Sequence, residues 1–288
     1  MKKVIGIDVG GTYIRGGIVS GNKITSRLKI NTEAKKGRKA VIKNILDSVK
    51  TLHSKDIAAI GLGVPGLVDV KRGVVKYSPN LPLKGADIKK LISKTFRKPV
   101  FVDNDANCFA LSELIYGAGR GKKNIIGITL GTGIGGGIII GGKLYYGRGN
   151  AGELGHMTIN FDGPKSKCGN DGCVESYASI RGIIGRAKGL DIENPRELFG
   201  LAEDGDKKAL KLWDETGFYL GVAIANYANI FDPDVIVLGG NISKAWKFFY
   251  KNMNLTIKKK ALVKDVKVAK SRLGDDSGVL GAAALCLP

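Results

Sequence analysis

The sequence predicts an α/β protein of two similar halves, each a mixed sheet flanked by helices, and three observations carry that expectation. The run VIGIDVGGTYIRGGIV (Val4 to Val19) returns as IGITLGTGIGGGIII (Ile126 to Ile140), so that Ile5, Gly6, Ile7, Gly10, Gly16 and Ile18 repeat at one constant offset as Ile126, Gly127, Ile128, Gly131, Gly137 and Ile139. Behind the first ribbon, strand-like and helix-like periodicities alternate, and behind the second the plan repeats. A chain of 288 residues at 43% hydrophobic is long enough for two cores of ordinary size.

In chain order, strands are expected at Val4 to Asp8, Arg15 to Val19 and, with one polar face, Lys23 to Leu28. Val41, Ile42, Ile45, Leu46 and Val49 place a helix over Arg38 to Leu52. A buried strand, Ala58 to Val64, precedes a turn at Pro65-Gly66; a helix near Ala86 to Phe96 and a strand at Pro99 to Val102 follow. After Asp105 a helix runs to about Ile115, and from Ile125 the opening recurs, with Tyr145 and Tyr146 past its end. Helices near Pro195 to Leu201, Asp206 to Asp232 and Ile242 to Lys251 flank a buried strand, Val235 to Leu238. The expected domains are residues 1–115 and 116–276, with a last helix of about 277–288 returning to the first.

The apolar runs are too short to span a membrane, and acidic Asp8 interrupts any signal-peptide core, which predicts a soluble cytoplasmic protein. Four cysteines, Cys108, Cys168, Cys173 and Cys286, are too few and scattered for a disulfide framework. The formal net charge of +20 suits phosphate-bearing partners. The basic residues are nevertheless spread along the chain. Even the densest run, Thr256 to Arg272, includes Val266, Val268 and Ala269 as a strand with a solvated lysine face. Nucleic acid is not the expected partner, because interleaved aromatics and DNA-reading motifs are absent; a positive field also gathers nucleotides.

One glycine ribbon alone is a tight hairpin. Two at equivalent points of similar halves suggest two loops approaching one anionic ligand, because exposed backbone N–H groups and a missing Cβ admit phosphate oxygens. Thr12 and Thr132 each add a hydroxyl. Asp105, where a strand gives way to a helix, is favoured in its ionised form and can accept a proton. The residues Asp103, Asn104 and Asp105 also suit an ordinary N-cap.

D-x-G-G-T at Asp8 to Thr12 and G-T-G-I-G-G-G at Gly131 to Gly137 resemble the two phosphate loops of the actin, hexokinase and Hsp70-like ATPase superfamily. VDNDANCFALSE (Val102 to Glu113), GNAGELGHMTI (Gly149 to Ile159) and CGNDGCVESYAS (Cys168 to Ser179) resemble the ROK family of sugar kinases and sugar-responsive repressors. The likeness runs from Val4 to LGDDSGVLGAAAL (Leu273 to Leu285). It implies two ribonuclease-H-like (actin-like ATPase) domains with sugar and MgATP meeting in a central cleft, and a homodimer or higher homo-oligomer.

By that resemblance Asp105 is the general base on the sugar hydroxyl, and Asn104 hydrogen-bonds the sugar. Glu153, His156 and Glu175 match positions that touch ring hydroxyls, with Asn80 and Gly66 as further sugar-binding candidates. ATP falls to Asp8, Gly10, Gly11, Thr12, Arg15, Gly131, Thr132, Gly133, Gly239 and Gly240, with Asn241 near the base or ribose and Asp8 organising Mg²⁺ through water. His156, Cys168 and Cys173 resemble the family's structural zinc site, where one His and three Cys hold the metal. Here Ser166 replaces the expected first cysteine. Bound zinc, free thiols and a local Cys168–Cys173 disulfide are therefore all open to this loop.

The resulting expectation is an ATP-dependent sugar kinase acting on the primary hydroxyl of a hexose, glucose first. N-acetylmannosamine or N-acetylglucosamine kinase is the alternative in the class. A sugar-responsive repressor is less expected, since such proteins carry a helix-turn-helix ahead of the first phosphate loop, and here few residues precede Val4. A chaperone or structural ATPase has no use for GELGH or CGNDGCVE.

Overall fold

A computed structural model describes residues 2–166 and 168–287. The chain divides into two compact units, one of residues 1–121, 137–152 and 273–288 and the other of residues 122–136 and 153–272. Pro288, at the end of the expected last helix, lies outside the described residues. Among the described residues no helix is long and apolar enough to cross a membrane.

The first half contributes β1 (Lys3–Val9), β2 (Tyr13–Ser20), β3 (Lys23–Asn31), α1 (Arg38–Leu52), β4 (Ile57–Val64), β5 (Leu67–Asp69), β6 (Val74–Tyr77), β7 (Ala86–Asp87), α2 (Ile88–Phe96), β8 (Val100–Asn104) and α3 (Asp105–Ile115). Its main sheet has the order β3-β2-β1-β4-β8. β1, β2 and β3 pair antiparallel, while β4 runs parallel to both β1 and β8. Valine and isoleucine from β1 and β4 meet Val41, Ile45, Val49 and Leu52 of α1 in the core. β3 alternates exposed and half-buried residues, as its polar face requires.

The second half supplies β9 (Ile125–Leu130), β10 (Ile134–Ile140), β11 (Lys143–Leu144), α4 (Val174–Ala178), α5 (Ile180–Arg186), α6 (Pro195–Glu203), α7 (Lys207–Phe231), β12 (Val235–Gly239), α8 (Trp246–Lys260), β13 (Val268–Lys270) and α9 (Ser277–Ala284). The second sheet, β11-β10-β9-β12-β13, repeats the strand order of the first. The duplicated ribbon is thus a strand, a three-residue glycine loop and a second strand in each sheet.

Three expectations are corrected. Residues 116–121, 137–152 and 273–276, expected in the second domain, group with the first unit. There a Cβ on Gly137 would lie 2.6 Å from the Ala106 carbonyl oxygen, and the Tyr146 hydroxyl bonds Asp103. The helix expected to end at Lys251 runs to Lys260, because Phe249, Met253, Thr256 and Ile257 prolong its buried stripe. The small antiparallel sheet β5-β6-β7 was not expected; its strands are two to four residues long, too short for a periodic signal.

α9 returns to the first unit and closes on it through glycines. A Cβ at Gly6 or Gly61 would overlap the carbonyl oxygens of Val279 and Ala282, and one at Gly281 would overlap that of Cys108 on α3. In the second unit Gly217 and Gly221 let α7 pack closely on Phe249 and Met253 of α8.

Candidate active site

In the first unit, β1 carries Asp8 and ends at Val9, and the chain turns through Gly10, Gly11 and Thr12. The Gly10 N–H donates to the Tyr13 carbonyl (2.9 Å), Thr32 Oγ1 to the Gly10 carbonyl (2.7 Å), and the Thr32 N–H to the Thr12 carbonyl (2.9 Å), so the end of β3 braces the loop. A Cβ at Gly11 would meet that of Asn80 at 3.6 Å, which sets the Asn80 loop against this turn.

At the end of β8, Asn104 is the N-cap of α3, accepting from the N–H groups of Ala106 (2.8 Å) and Asn107 (3.2 Å). Its amide also donates to the Gly66 carbonyl at 2.9 Å. Gly66 has φ of 102°, and a Cβ there would overlap the Tyr77 carbonyl oxygen, so the position admits only glycine. The capping role and the candidate general-base role therefore fall on neighbours: Asn104 caps, and Asp105 stands in the first turn of α3 with Oδ1 accepting the Ala106 N–H at 3.0 Å.

Asp8 and Asp105 are brought close. Burial first, then the Asp105 charge, push the Asp8 carboxyl from 3.8 up to about 7, with Arg15 pulling the other way and Asp275 adding to the rise. Arg15 itself lies 3.8 Å from Asp275. Two neighbouring oxygen-donor carboxylates suit a hard divalent cation such as Mg²⁺.

Sequence reasoning missed Asp103. It is 1% exposed and accepts from the Asn104 N–H (2.7 Å), the Asn107 amide (2.9 Å) and the Tyr146 hydroxyl (2.6 Å). Burial raises its carboxyl above the usual range against the pull of these bonds, and raises the Tyr146 phenol as well. A buried aspartate beside a capping asparagine looks like part of the cap in sequence; only the tyrosine, far along the chain, distinguishes it.

In the second unit the equivalent loop is Gly131, Thr132 and Gly133, with the Gly131 N–H donating to the Gly133 carbonyl (3.0 Å) and the Ile180 N–H to the Gly131 carbonyl (2.9 Å). Glu175 Oε2 accepts the Ile134 N–H at 2.9 Å and would lie 2.5 Å from a Cβ on Gly133. Glu175, expected at a sugar hydroxyl, here braces the glycine loop of the second unit. Glu153 Oε2 is 3.7 Å from His156 Nε2. Burial raises the Glu153 carboxyl, His156 opposes, and the charge of Glu175 adds to the rise, so the three residues are assembled. Gly240, with φ of 83°, abuts Leu130 at the end of β9, which brings Gly239 and Gly240 beside the Gly131 loop. Asn241 and Ile242 then line a cavity of about 470 Å³ with Asn194, Arg196, Phe199 and Trp213. The α6 members of that cavity were not foreseen as site residues, although the Asn194–Glu197 capping box is readable in the sequence.

Ligand atoms of His156, Cys168 and Cys173 lie within 4.8 Å of one another. His156 Nδ1 is buried without a hydrogen-bond partner among the described residues. Cys168 Sγ is 3.3 Å from the Ser166 hydroxyl and 3.5 Å from Cys173 Sγ. Burial works to raise the Cys168 thiol, but its bonds to Ser166, the Asn170 backbone and Cys173 bring it down to about 7. An orphaned imidazole nitrogen and two adjacent sulfurs are donors that suit zinc, with a fourth ligand from solvent or Ser166.

Comparison with known proteins gives a consistent result. The ROK family profile matches residues 4–288. The glucokinase of Thermotoga maritima is 34% identical over 306 residues, covering 98% of this chain and 96% of the relative. The xylose repressor of Bacillus subtilis is 32% identical over 298 residues, covering 98% of this chain and 76% of the repressor. A ROK family glucokinase from Streptomyces griseus, solved in complex with glucose and AMPPNP, superposes with a TM-score of 0.86 at 32% identity over 98% of each chain. The α/β fold of mixed sheets flanked by helices is that of the actin-like ATPases, and the chain belongs to the ROK family.

Proposed function

We propose that this protein is an ATP-dependent sugar kinase that phosphorylates the primary hydroxyl of a hexose, glucose before other sugars. The observation that carries the reading is the pairing of Asp105 with Asp8 at the mouth of a braced glycine loop, together with a second such loop of the same design. The glucokinase relatives support the class of reaction.

Phosphoryl transfer requires in-line positioning and neutralisation of charge on the phosphate oxygens, more than covalent chemistry from the protein. Gly10, Gly11 and Thr12, and Gly131, Thr132 and Gly133, offer backbone N–H groups and hydroxyls to a polyphosphate, with Arg15 adding charge. Gly239, Gly240 and Asn241 serve the nucleoside end. Mg²⁺, held through Asp8, supplies charge neutralisation on the phosphates when bound. Asp105 takes the proton from the sugar hydroxyl as that oxygen attacks phosphorus, and Asn104, Asn80 and Gly66 orient the sugar. Glu153, His156 and Glu175 pair with ring hydroxyls, which both donate and accept. His156, Cys168 and Cys173 would hold zinc, which would stiffen the segment that leads into Glu175. The enzyme is read as a cytoplasmic homo-oligomer, checked by light scattering and cell fractionation.

The deciding assay follows ADP release with MgATP across hexoses and N-acetylhexosamines, beside Asp105→Asn. Glucose is expected to turn over best, and the variant to lose several orders of magnitude in kcat while still binding sugar. Near-normal rates in the variant would remove Asp105 as the base. Preference for N-acetylmannosamine or N-acetylglucosamine would move the substrate within the class. Sugar binding with no turnover would favour the sensing role suggested by likeness to the xylose repressor.

A further inference from the structure

In the second unit, backbone bonds within residues 164–173 hold two sulfurs side by side. The Ser166 N–H donates to the Asn170 carbonyl (2.8 Å), the Gly169 N–H to the Ser166 carbonyl (3.1 Å) and the Gly172 N–H to the Pro164 carbonyl (2.9 Å). Gly169 and Gly172, with φ of 94° and 62°, supply the left-handed backbone that so tight a reversal needs. Cys173 bridges Thr158, and a Cβ on Gly172 would overlap the Asn160 carbonyl oxygen, so the far end of the loop is pinned. Cys168 Sγ thereby lies 3.5 Å from Cys173 Sγ and 3.3 Å from the Ser166 hydroxyl. Cys168 is exposed, and Cys173 is fully buried behind it. A structural zinc site is closed by four strong donors. Here the described donors are one imidazole, two thiols and a serine hydroxyl, which leaves the outer sulfur open to attack. An accessible thiol beside a second one able to resolve it is the arrangement of a reversible oxidation site.

We propose that Cys168 and Cys173 are such a site, which a peroxide converts to a disulfide that no longer holds zinc. The Cys168 sulfur attacks the O–O bond of hydrogen peroxide and becomes a sulfenic acid as one water leaves. The Cys173 sulfur then attacks the Cys168 sulfur, the S–O bond breaks, and a second water carries off the Cys173 proton. Two thiols lose two electrons, peroxide is reduced to two waters, and a thiol reductant reverses the bond. From zinc-bound thiolates the same step releases Zn²⁺, and solvent supplies both protons. The change reaches the neighbouring site through Cys173, which donates its S–H to the His156 carbonyl at 3.4 Å and is the N-cap of α4, whose first turn holds Glu175. The disulfide removes that S–H and draws Cys173 toward Cys168, so His156 and Glu175 lose the support of the residue between them. The inference rests on the sugar-kinase reading only for its consequence, a weaker hold on the acceptor sugar.

The test treats the full chain with hydrogen peroxide, maps its thiols by mass spectrometry and follows zinc uptake. The tryptic peptide of residues 168–181 carries both cysteines, and Cys108 and Cys286 fall in other peptides. The expected result is that this peptide loses two hydrogens while Cys108 and Cys286 stay reduced, and that dithiothreitol restores it. The reduced chain takes up one equivalent of added zinc, and the oxidised chain takes up none. In steady state kcat/KM for the best acceptor sugar falls about 10-fold or more on oxidation and returns on reduction, whereas Cys168→Ser does not respond to peroxide. A sulfinic acid at Cys168 with Cys173 still free, no reaction at either, or a disulfide that forms only in denaturant overturns the proposal. Unchanged sugar kinetics in the oxidised chain, or an equal loss in Cys168→Ser, overturns the regulatory consequence. A reduced chain that takes up no zinc sinks the metal reading of this loop and leaves the oxidation site standing. A reduced chain that phosphorylates no sugar sinks the kinase reading and leaves the disulfide chemistry standing.

Discussion

At the scale of single residues, the candidate site buries a carboxylate whose charge the fold disfavours. Asp8 has its carboxyl held near 7 by burial and by Asp105, against 3.8 ordinarily. A carboxylate whose folded pKa exceeds its unfolded one binds the extra proton in the native state, so stability falls as pH rises from about 4 to about 7. Asp8→Asn is therefore expected to stabilise the ligand-free protein by about 1–3 kcal/mol near pH 8, with the gain shrinking toward pH 4, while turnover with MgATP is lost. Denaturant unfolding at the two pH values measures it; an unstable variant at pH 8 would contradict the electrostatic account. Tyr146→Phe removes one of three donors from buried Asp103 and should cost about 1–3 kcal/mol. If unfolding curves of that variant coincide with the wild type, the Tyr146–Asp103 bond is not holding the start of α3.

At the scale of elements, backbone approach decides more than side-chain volume. α9 lies on β1, β4 and α3 at Gly6, Gly61 and Gly281, where a Cβ would overlap carbonyl oxygens. Gly61→Ala is expected to force α9 outward and destabilise the protein by more than about 2 kcal/mol, well beyond an ordinary surface change. A thermal shift smaller than about 2 °C would mean that α9 yields without cost. The metal loop is a second element-scale case. Zinc binding at His156, Cys168 and Cys173 should appear as one equivalent of metal after purification, and chelation should lower the melting temperature. Purified protein without zinc whose melting is indifferent to added metal would leave free thiols as the resting state.

At the scale of the whole molecule, the net charge of +20 is long-range attraction for an anionic nucleotide and has little to offer a neutral sugar. Raising ionic strength from about 0.05 to 0.5 M should therefore raise KM for MgATP several-fold and leave KM for the sugar nearly unchanged. Equal responses would assign the charge to another task. The sequence by itself determined the duplicated plan: the repeat of Ile5, Gly6, Ile7 and Gly10 as Ile126, Gly127, Ile128 and Gly131 foretold two sheets of one strand order, because apolar alternation and glycine are local signals. It also named Asp8, Asp105, Glu153, His156 and Glu175, although their roles came from family likeness and await the assays above. What only the tertiary structure decided lies in pairings distant along the chain. Asp103 meeting Tyr146, Glu175 reaching the Ile134 N–H, Arg186 left with an unsatisfied N–H, and residues 137–152 joining the first unit all depend on packing partners that no periodicity encodes. Local propensity reads along the backbone, whereas burial, charge coupling and cavities arise only once separate segments share the same space.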